Sequence, residues 1–270
     1  MVVELYMSGL VFVFGLLIGS FLNVVILRLP HGQTLLGRSA CPHCRYQLRV
    51  PDLVPVLSFL FLRGKCRQCR QPISWRYPAL ELVVAGLFLC AYLIIQPVTG
   101  LGVLLLAEAW VIIAVCVVTF VVDFEHYLIL DRVTFVGLTA LVLLKAIHYF
   151  IGQGAGWSWQ DPWVSGLIGV VLGFVPFFLL WLFSRGRLMG FGDVKFMLFA
   201  GLALGWPNII VALLLAFWLG ALVAVPLLFL GKKKLQSSVP FGTFLAVATV
   251  VGLLYGNTLW YWYISLIRVY

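Results

Sequence analysis

The sequence predicts an all-α, polytopic membrane protein of about eight transmembrane helices, with one small polar domain between helices 1 and 2. Three observations carry that reading. Of 270 residues, 63% are hydrophobic and 10% are charged, and the mean hydropathy is +1.11. A soluble chain of this length could not hide so much apolar surface, whereas a chain whose solvent is lipid need not. The apolar residues fall into runs, most of them near the ~20 residues that cross a bilayer. The charges are segregated as well, most of them between the runs.

The first run is Leu5 to Leu27. No Lys or Arg precedes it and Arg28 follows it, the reverse of a secretory signal. It reads as a retained span with its N-terminus outside. Residues 28–78 form the one long polar stretch. They hold nine of the eighteen basic residues, a single acid, Asp52, and four of the six cysteines. Seven further runs follow, at about 79–96, 101–122, 132–151, 163–184, 194–206, 208–230 and 239–264. The run at 194–206 is short, and suits a tilted or re-entrant helix as well as a crossing. Counting it as a crossing gives eight spans with both termini outside. The chain then divides into a first span (1–27), a cytoplasmic cysteine-rich domain (28–78) and a transmembrane domain (79–270).

Charges not used to build this topology agree with it. Arg132, Arg185, Arg187, Lys195 and Lys232 to Lys234 fall on the cytoplasmic side; of the eighteen basic residues only Lys145 and Arg268 fall outside. The formal charge of +9 is therefore the positive-inside bias of a membrane protein and not a nucleic-acid footprint. Trp157, Trp159, Trp163, Trp206, Trp260 and Trp262 fall at outer span ends, as an interfacial belt does. No internal repeat or low-complexity segment stands out.

Within the polar stretch, Cys41-x-x-Cys44 and Cys66-x-x-Cys69 are two knuckles 21 residues apart. Two such pairs complete a tetrahedral thiolate shell for zinc. Arg45, Lys65, Arg67 and Arg70 beside them favour ionised thiols. A polar domain of about fifty residues builds little core, so a metal would supply much of its folding energy. Two disulfides are disfavoured in a reducing compartment. Four thiolates leave no open position and no H-E-x-x-H occurs, so the zinc is structural. His43 reads as a spacer, and Cys90 and Cys116 as packing residues within apolar runs.

Ionisable groups at membrane depth are costly, so each acid is a functional candidate until a plainer role is found. Asp193, in Met189-Gly190-Phe191-Gly192-Asp193-Val194-Lys195, opens a span at the cytoplasmic side. It reads equally as a helix N-cap and as a catalytic acid whose glycines admit an extended peptide. Lys195 is expected to snorkel to the membrane surface. Asp123 ends the third span at the same depth; Glu125 lies on another helical face, and Asp131 suits the N-cap of the next span. Two adjacent carboxylates that share a proton can activate water and protonate a carbonyl, which is peptide hydrolysis without a metal. Glu81 is expected to pair with Arg76 or Tyr77. Glu108 reads as a pocket residue or a helix–helix hydrogen bond, the latter favoured.

These residues together resemble the type IV prepilin peptidases of the GxGD aspartyl protease group. The resemblance runs nearly end to end. It takes in Gly19-Ser20-Phe21-Leu22-Asn23-Val24-Val25, Arg28-Leu29-Pro30, both CxxC knuckles and Leu62-Arg63-Gly64-Lys65-Cys66. It continues through Arg76-Tyr77-Pro78, the Asp123 and Asp193 motifs, and Pro240-Phe241-Gly242. One departure is Ile129-Leu130-Asp131, where the family has Leu-Pro-Asp.

The resemblance implies that Asp123 and Asp193 are the catalytic pair. It implies a prepilin or pseudopilin substrate, cleaved after the Gly that ends a short basic leader, at the cytoplasmic face of a bacterial inner membrane. It further implies N-methylation of the new terminus with S-adenosylmethionine, with Gly64 in the methyltransferase region. No Gly-rich nucleotide-binding pattern marks the donor site. The competing readings are a peptidase without methyl transfer, and a transporter or non-catalytic membrane scaffold built on a structural zinc domain.

Overall fold

The structure is a computed structural model that describes residues 2–151, 161–229 and 240–268. It is helical throughout, and no extended strand occurs among the described residues. The chain forms two compact units, Met1–Gln96 and Pro97–Tyr270.

In the first unit, α1 (Val2–Arg28) packs along α3 (Arg76–Ile95). Glycines make the approach possible. A Cβ at Gly15 would lie 2.6 Å from the Ala85 Cα, and one at Gly19 would lie 2.8 Å from the Glu81 Cα. In lipid, where helix association gains little from the hydrophobic effect, such close backbone contact is what holds two spans together. After α1 the chain is gathered by Arg28, whose guanidinium donates to the carbonyls of Leu35 and Leu36 at 3.1 Å and of Arg38 at 3.3 Å. The polar segment then makes two 3-10 turns, Leu29–His31 and Val50–Leu53, and one short α-helix, α2 (Leu57–Phe61), before α3.

The second unit contains α4 (Gly100–His126), α5 (Asp131–Ile151), α6 (Pro162–Ser184), α7 (Phe191–Leu204), α8 (Asn208–Phe229) and α9 (Phe241–Arg268). These agree closely with the apolar runs. Among the described residues, the expectation of about eight spans resolves into seven helices long and apolar enough to cross a membrane, with α7 as the short eighth. Its 14 residues reach about 21 Å at 1.5 Å per residue, against a hydrocarbon core of ~30 Å. Protein surrounds it instead of lipid: Val194, Phe196, Phe199 and Ala200 are each 0% exposed. Helix ends at membrane depth are tolerated where protein buries them. Its closest neighbour is α6, whose Gly166, Gly169 and Gly173 form a buried stripe. A Cβ on Gly169 would strike the Gly201 carbonyl, and one on Gly201 the Gly169 carbonyl.

Polar pairs tie the same unit. Glu108 Oε2 accepts from Lys145 Nζ at 3.2 Å, and His148 Nδ1 stands 3.7 Å from Glu108 Oε1. This is the helix–helix bond favoured for Glu108, with Lys145 37 residues further along the chain. Cys116 is buried in the core, as expected. Trp206 meets Trp260 edge-on at 5.2 Å, consistent with a shared level at the predicted outer side. Trp157, Trp159 and Lys232 to Lys234 lie outside the described residues.

Candidate active site and metal centre

The four knuckle cysteines come together as the spacing predicts. Their Sγ atoms all lie within 4.8 Å of one another, and Cys41 and Cys69 are 3.8 Å apart. Thiolates placed ~2.3 Å from a central ion at tetrahedral corners would stand about 3.8 Å apart, so the donor set fits zinc. The knuckles also form a short structural repeat, too brief to stand out in the sequence. Cys41 N–H donates to the Tyr46 carbonyl and Arg45 N–H to Cys41; Cys66 N–H donates to Gln71 and Arg70 N–H to Cys66. Arg45 and Arg70 sit at φ 55° and 57°, where the left-handed turn closes each loop.

Thiol ionisation draws on backbone amides rather than on the basic side chains. The Cys44 N–H pulls the Cys41 thiol down most strongly, against burial, and with help from the His43 N–H and from the Cys66 and Cys44 thiols it reaches about 6. The Gln71 N–H draws Cys69 down, but burial and hydrogen bonds to the other three thiols push it up to about 12. Four thiols this close cannot all ionise cheaply unless a cation joins them.

Asp52 braces the domain. Its Oδ1 accepts from Arg67 Nε at 2.8 Å and Nη2 at 2.7 Å, and its Oδ2 accepts from Arg49 N–H at 3.1 Å. Burial pushes the carboxyl up, but the Arg67 hydrogen bond, the Arg49 N–H and both positive charges outweigh it and hold Asp52 below the ordinary carboxylate range. Gly64 lies at φ +67°, and a Cβ there would sit 3.0 Å from the Phe59 ring. Its position thus depends on both the left-handed backbone and the ring beneath it.

In the second unit the two predicted catalytic aspartates converge from helices far apart in sequence. Asp123 lies in the last turn of α4 and is 5% exposed. Asp193 is the third residue of α7, close enough for the charge of Asp123 to act on it. The N-cap of α7 is Gly190, with no side-chain cap bond, so Asp193 is not spent on capping. Phe191 anchors this helix start on Trp181 of α6, ring to ring at 4.7 Å.

The two glycine motifs meet on Ile129, the residue that begins the departure from Leu-Pro-Asp. A Cβ at Gly192 would lie 3.1 Å from Ile129 Cβ, and one at Gly242 would lie 2.8 Å from Ile129 Cδ1 and 3.0 Å from Asp123 Oδ2. Gly192 is therefore fixed by packing, while a Cβ on Gly190 would make an ordinary contact with Asp193 Oδ2 at 3.9 Å. Thr243, next after the Pro240-Phe241-Gly242 motif, went unnoticed in the sequence. Its N–H donates to Asp123 Oδ2 at 2.6 Å and its hydroxyl donates to the same oxygen at 3.0 Å. Two donors on one oxygen hold the carboxyl in one orientation.

Three residues have partners that the sequence did not single out. Lys195 Nζ donates to Asp131 Oδ2 at 2.7 Å and lies 5.1 Å from the Phe191 ring centre. Asp131 is the first residue of α5 rather than the residue before it, and its carboxylate serves that ion pair. Glu81 accepts from Val56 N–H at 2.7 Å instead of pairing with Arg76 or Tyr77. Glu125 is exposed while Asp123 is buried, as their different helical faces require.

Comparison with known proteins covers both units. Residues 13–95 match the model of the bacterial peptidase A24 N-terminal domain, and residues 110–225 match that of the type IV leader peptidase family. A prepilin leader peptidase/N-methyltransferase of Aeromonas hydrophila is 34% identical, over 97% of this chain and 94% of that protein. One of Bacillus subtilis (strain 168) is 32% identical, over 96% and 99%. The type 4 prepilin-like proteins leader peptide-processing enzyme of Escherichia coli O78:H11 is 35% identical, over 87% and 89%. No solved structure matches the chain. Two family models and relatives matched over nearly their whole length leave one conclusion: the chain belongs to the type IV leader peptidase family.

Proposed function

We propose that this enzyme removes the short basic leader of type IV prepilin-like precursors after its final Gly, and then methylates the new N-terminal amine. The observation that carries the peptidase half is the convergence of Asp123 and Asp193 at adjoining helix ends. One carboxylate takes a proton from water as it attacks the scissile carbonyl. The other, protonated, donates to the carbonyl oxygen and later helps protonate the leaving amine. Thr243 keeps Asp123 oriented.

The active site faces the cytoplasm from a bacterial inner membrane. The charge distribution that places most Lys and Arg on that side supports this. Zinc held by Cys41, Cys44, Cys66 and Cys69 has a structural role, closing the domain that a small core cannot stabilise alone. S-adenosylmethionine, when bound, would supply the methyl group for the new N-terminal amine.

The test is incubation of the purified enzyme with a prepilin and methyl-labelled S-adenosylmethionine, with cleavage and methyl transfer followed separately. Asp193→Asn should keep the fold and abolish leader removal; normal cleavage by that variant would remove the aspartyl mechanism.

A further inference from the structure

Residues 50–61 are an apolar stretch inside the segment that joins α1 to α3. They read Val50-Pro51-Asp52-Leu53-Val54-Pro55-Val56-Leu57-Ser58-Phe59-Leu60-Phe61, too short to cross a bilayer. Few of these side chains are covered by protein. Val50 is 80% exposed and Phe61 83%, and Leu53, Val54, Leu57 and Leu60 are exposed as well. Within α2 only Phe59 is buried. Leu57, Leu60 and Phe61 stand at i, i+3 and i+4, so the helix presents them on one face. In water such a surface would invite aggregation.

Two observations say what covers it. The first is depth. Val56 takes φ 59°, an unfavourable backbone for a β-branched residue, and from there its N–H donates to Glu81 Oε2 at 2.7 Å. Glu81 is the sixth residue of α3, a membrane-spanning helix. It therefore lies about 7.5 Å inside the helix's first residue, at 1.5 Å per residue. Amphipathic segments in a membrane interface bury their apolar face by ~5–10 Å. Trp75, at the mouth of α3, is 72% exposed and meets the Phe59 ring edge-on at 4.7 Å. An indole at this level suits the water–lipid boundary.

The second is charge. Arg49 and Arg63 are exposed at the two ends of the stretch. Asp52, the single acid of residues 28–78, is buried against Arg67 and the Arg49 N–H, so the rim is positive. An apolar face with a positive rim matches the anionic headgroups of a leaflet. It repels a second copy, which brings the same arginines to a symmetric contact, and it repels the basic leader of the proposed substrate.

We propose that residues 50–61 dock into the leaflet on the knuckle side, the cytoplasmic one in the topology given above. Leu53, Val54, Leu57, Leu60 and Phe61 lie among the acyl chains, and Arg49 and Arg63 meet anionic headgroups. The knuckle domain is thus held on the bilayer by its own surface as well as by α1 and α3.

The test is photolabelling of the full wild-type chain in vesicles of phosphatidylcholine and phosphatidylglycerol, doped with a phospholipid that carries a diazirine near the carboxyl end of one acyl chain. Peptides covering residues 50–61 should be labelled along with α1 and α3, while residues 38–47 of the first knuckle should stay unlabelled. Leu60→Ser combined with Phe61→Ser leaves Phe59 in place, and should cut the label on residues 50–61 by about tenfold. A photoreactive phenylalanine analogue at position 61 identifies the occupant. Its adduct should be phospholipid enriched in phosphatidylglycerol, and Arg63→Gln should reduce that enrichment about fivefold. Residues 50–61 left unlabelled beside labelled α1 and α3 would overturn the docking. So would an adduct at position 61 consisting of a second copy of the chain or of added prepilin. The wild-type labelling decides the matter should the serine variant fail to fold.

Discussion

Gly242→Ala offers the sharpest perturbation of the aspartate site. The new Cβ would lie 2.8 Å from Ile129 Cδ1, 3.1 Å from Asp123 Cγ and 3.0 Å from Asp123 Oδ2. The first contact is with the free end of a flexible side chain, which can rotate away. The Asp123 carboxyl cannot yield so easily, because Thr243 donates twice to the oxygen being pushed. Carbon atoms pack best at ~3.5 Å or more, so Asp123 must move by about 0.4 Å. A misplacement of ~1 Å at a reacting group costs on the order of a hundredfold in rate, so the smaller shift should lower kcat for leader cleavage roughly tenfold. Overpacking should also cost ~1–3 kcal/mol of stability. The assay is steady-state cleavage of a detergent-solubilised prepilin, with melting followed in parallel. A folded Gly242→Ala enzyme with wild-type kcat would refute the claim that this glycine is required by the carboxyl behind it.

Other perturbations bear on the remaining parts. Thr243→Val removes the hydroxyl bond and keeps the N–H bond, and should lower kcat about tenfold with KM little changed; Thr243→Ser should restore it, and failure of that rescue would count against a hydrogen-bonding role. Asp52→Asn should cost the knuckle domain roughly 1.5–3 kcal/mol at neutral pH, read by hydrogen exchange over residues 49–67. Because the folded carboxyl titrates below its ordinary value of 3.8, that stability is full above about pH 4 and disappears as pH falls through the folded value, so variant and wild type should converge in acid. Replacing Cys41 and Cys66 together by Ser should abolish zinc binding and methyl transfer; unchanged zinc content would refute the metal site.

Much of this protein was legible in its sequence because lipid simplifies the physics. Backbone groups in a bilayer must bond internally, so each apolar run had to be a helix, and the boundaries of α3 to α9 follow those runs closely. The knuckles were equally legible, since a CxxC pair brings its own turn. Asp123 and Asp193 were visible as carboxylates at one depth, and a resemblance to a known family singled them out.

Tertiary structure decided what depends on partners distant in sequence. It gave Glu108 its Lys145 and Lys195 its Asp131, partners that local reasoning does not name. It showed why α7 need not span: the neighbouring helices, not lipid, are its solvent. It disclosed Thr243, which no motif marks, because a donor to Asp123 lies 120 residues along the chain. Sequence alone determined what each segment must bury. Which groups then face one another is set by packing, a property of all the helices together.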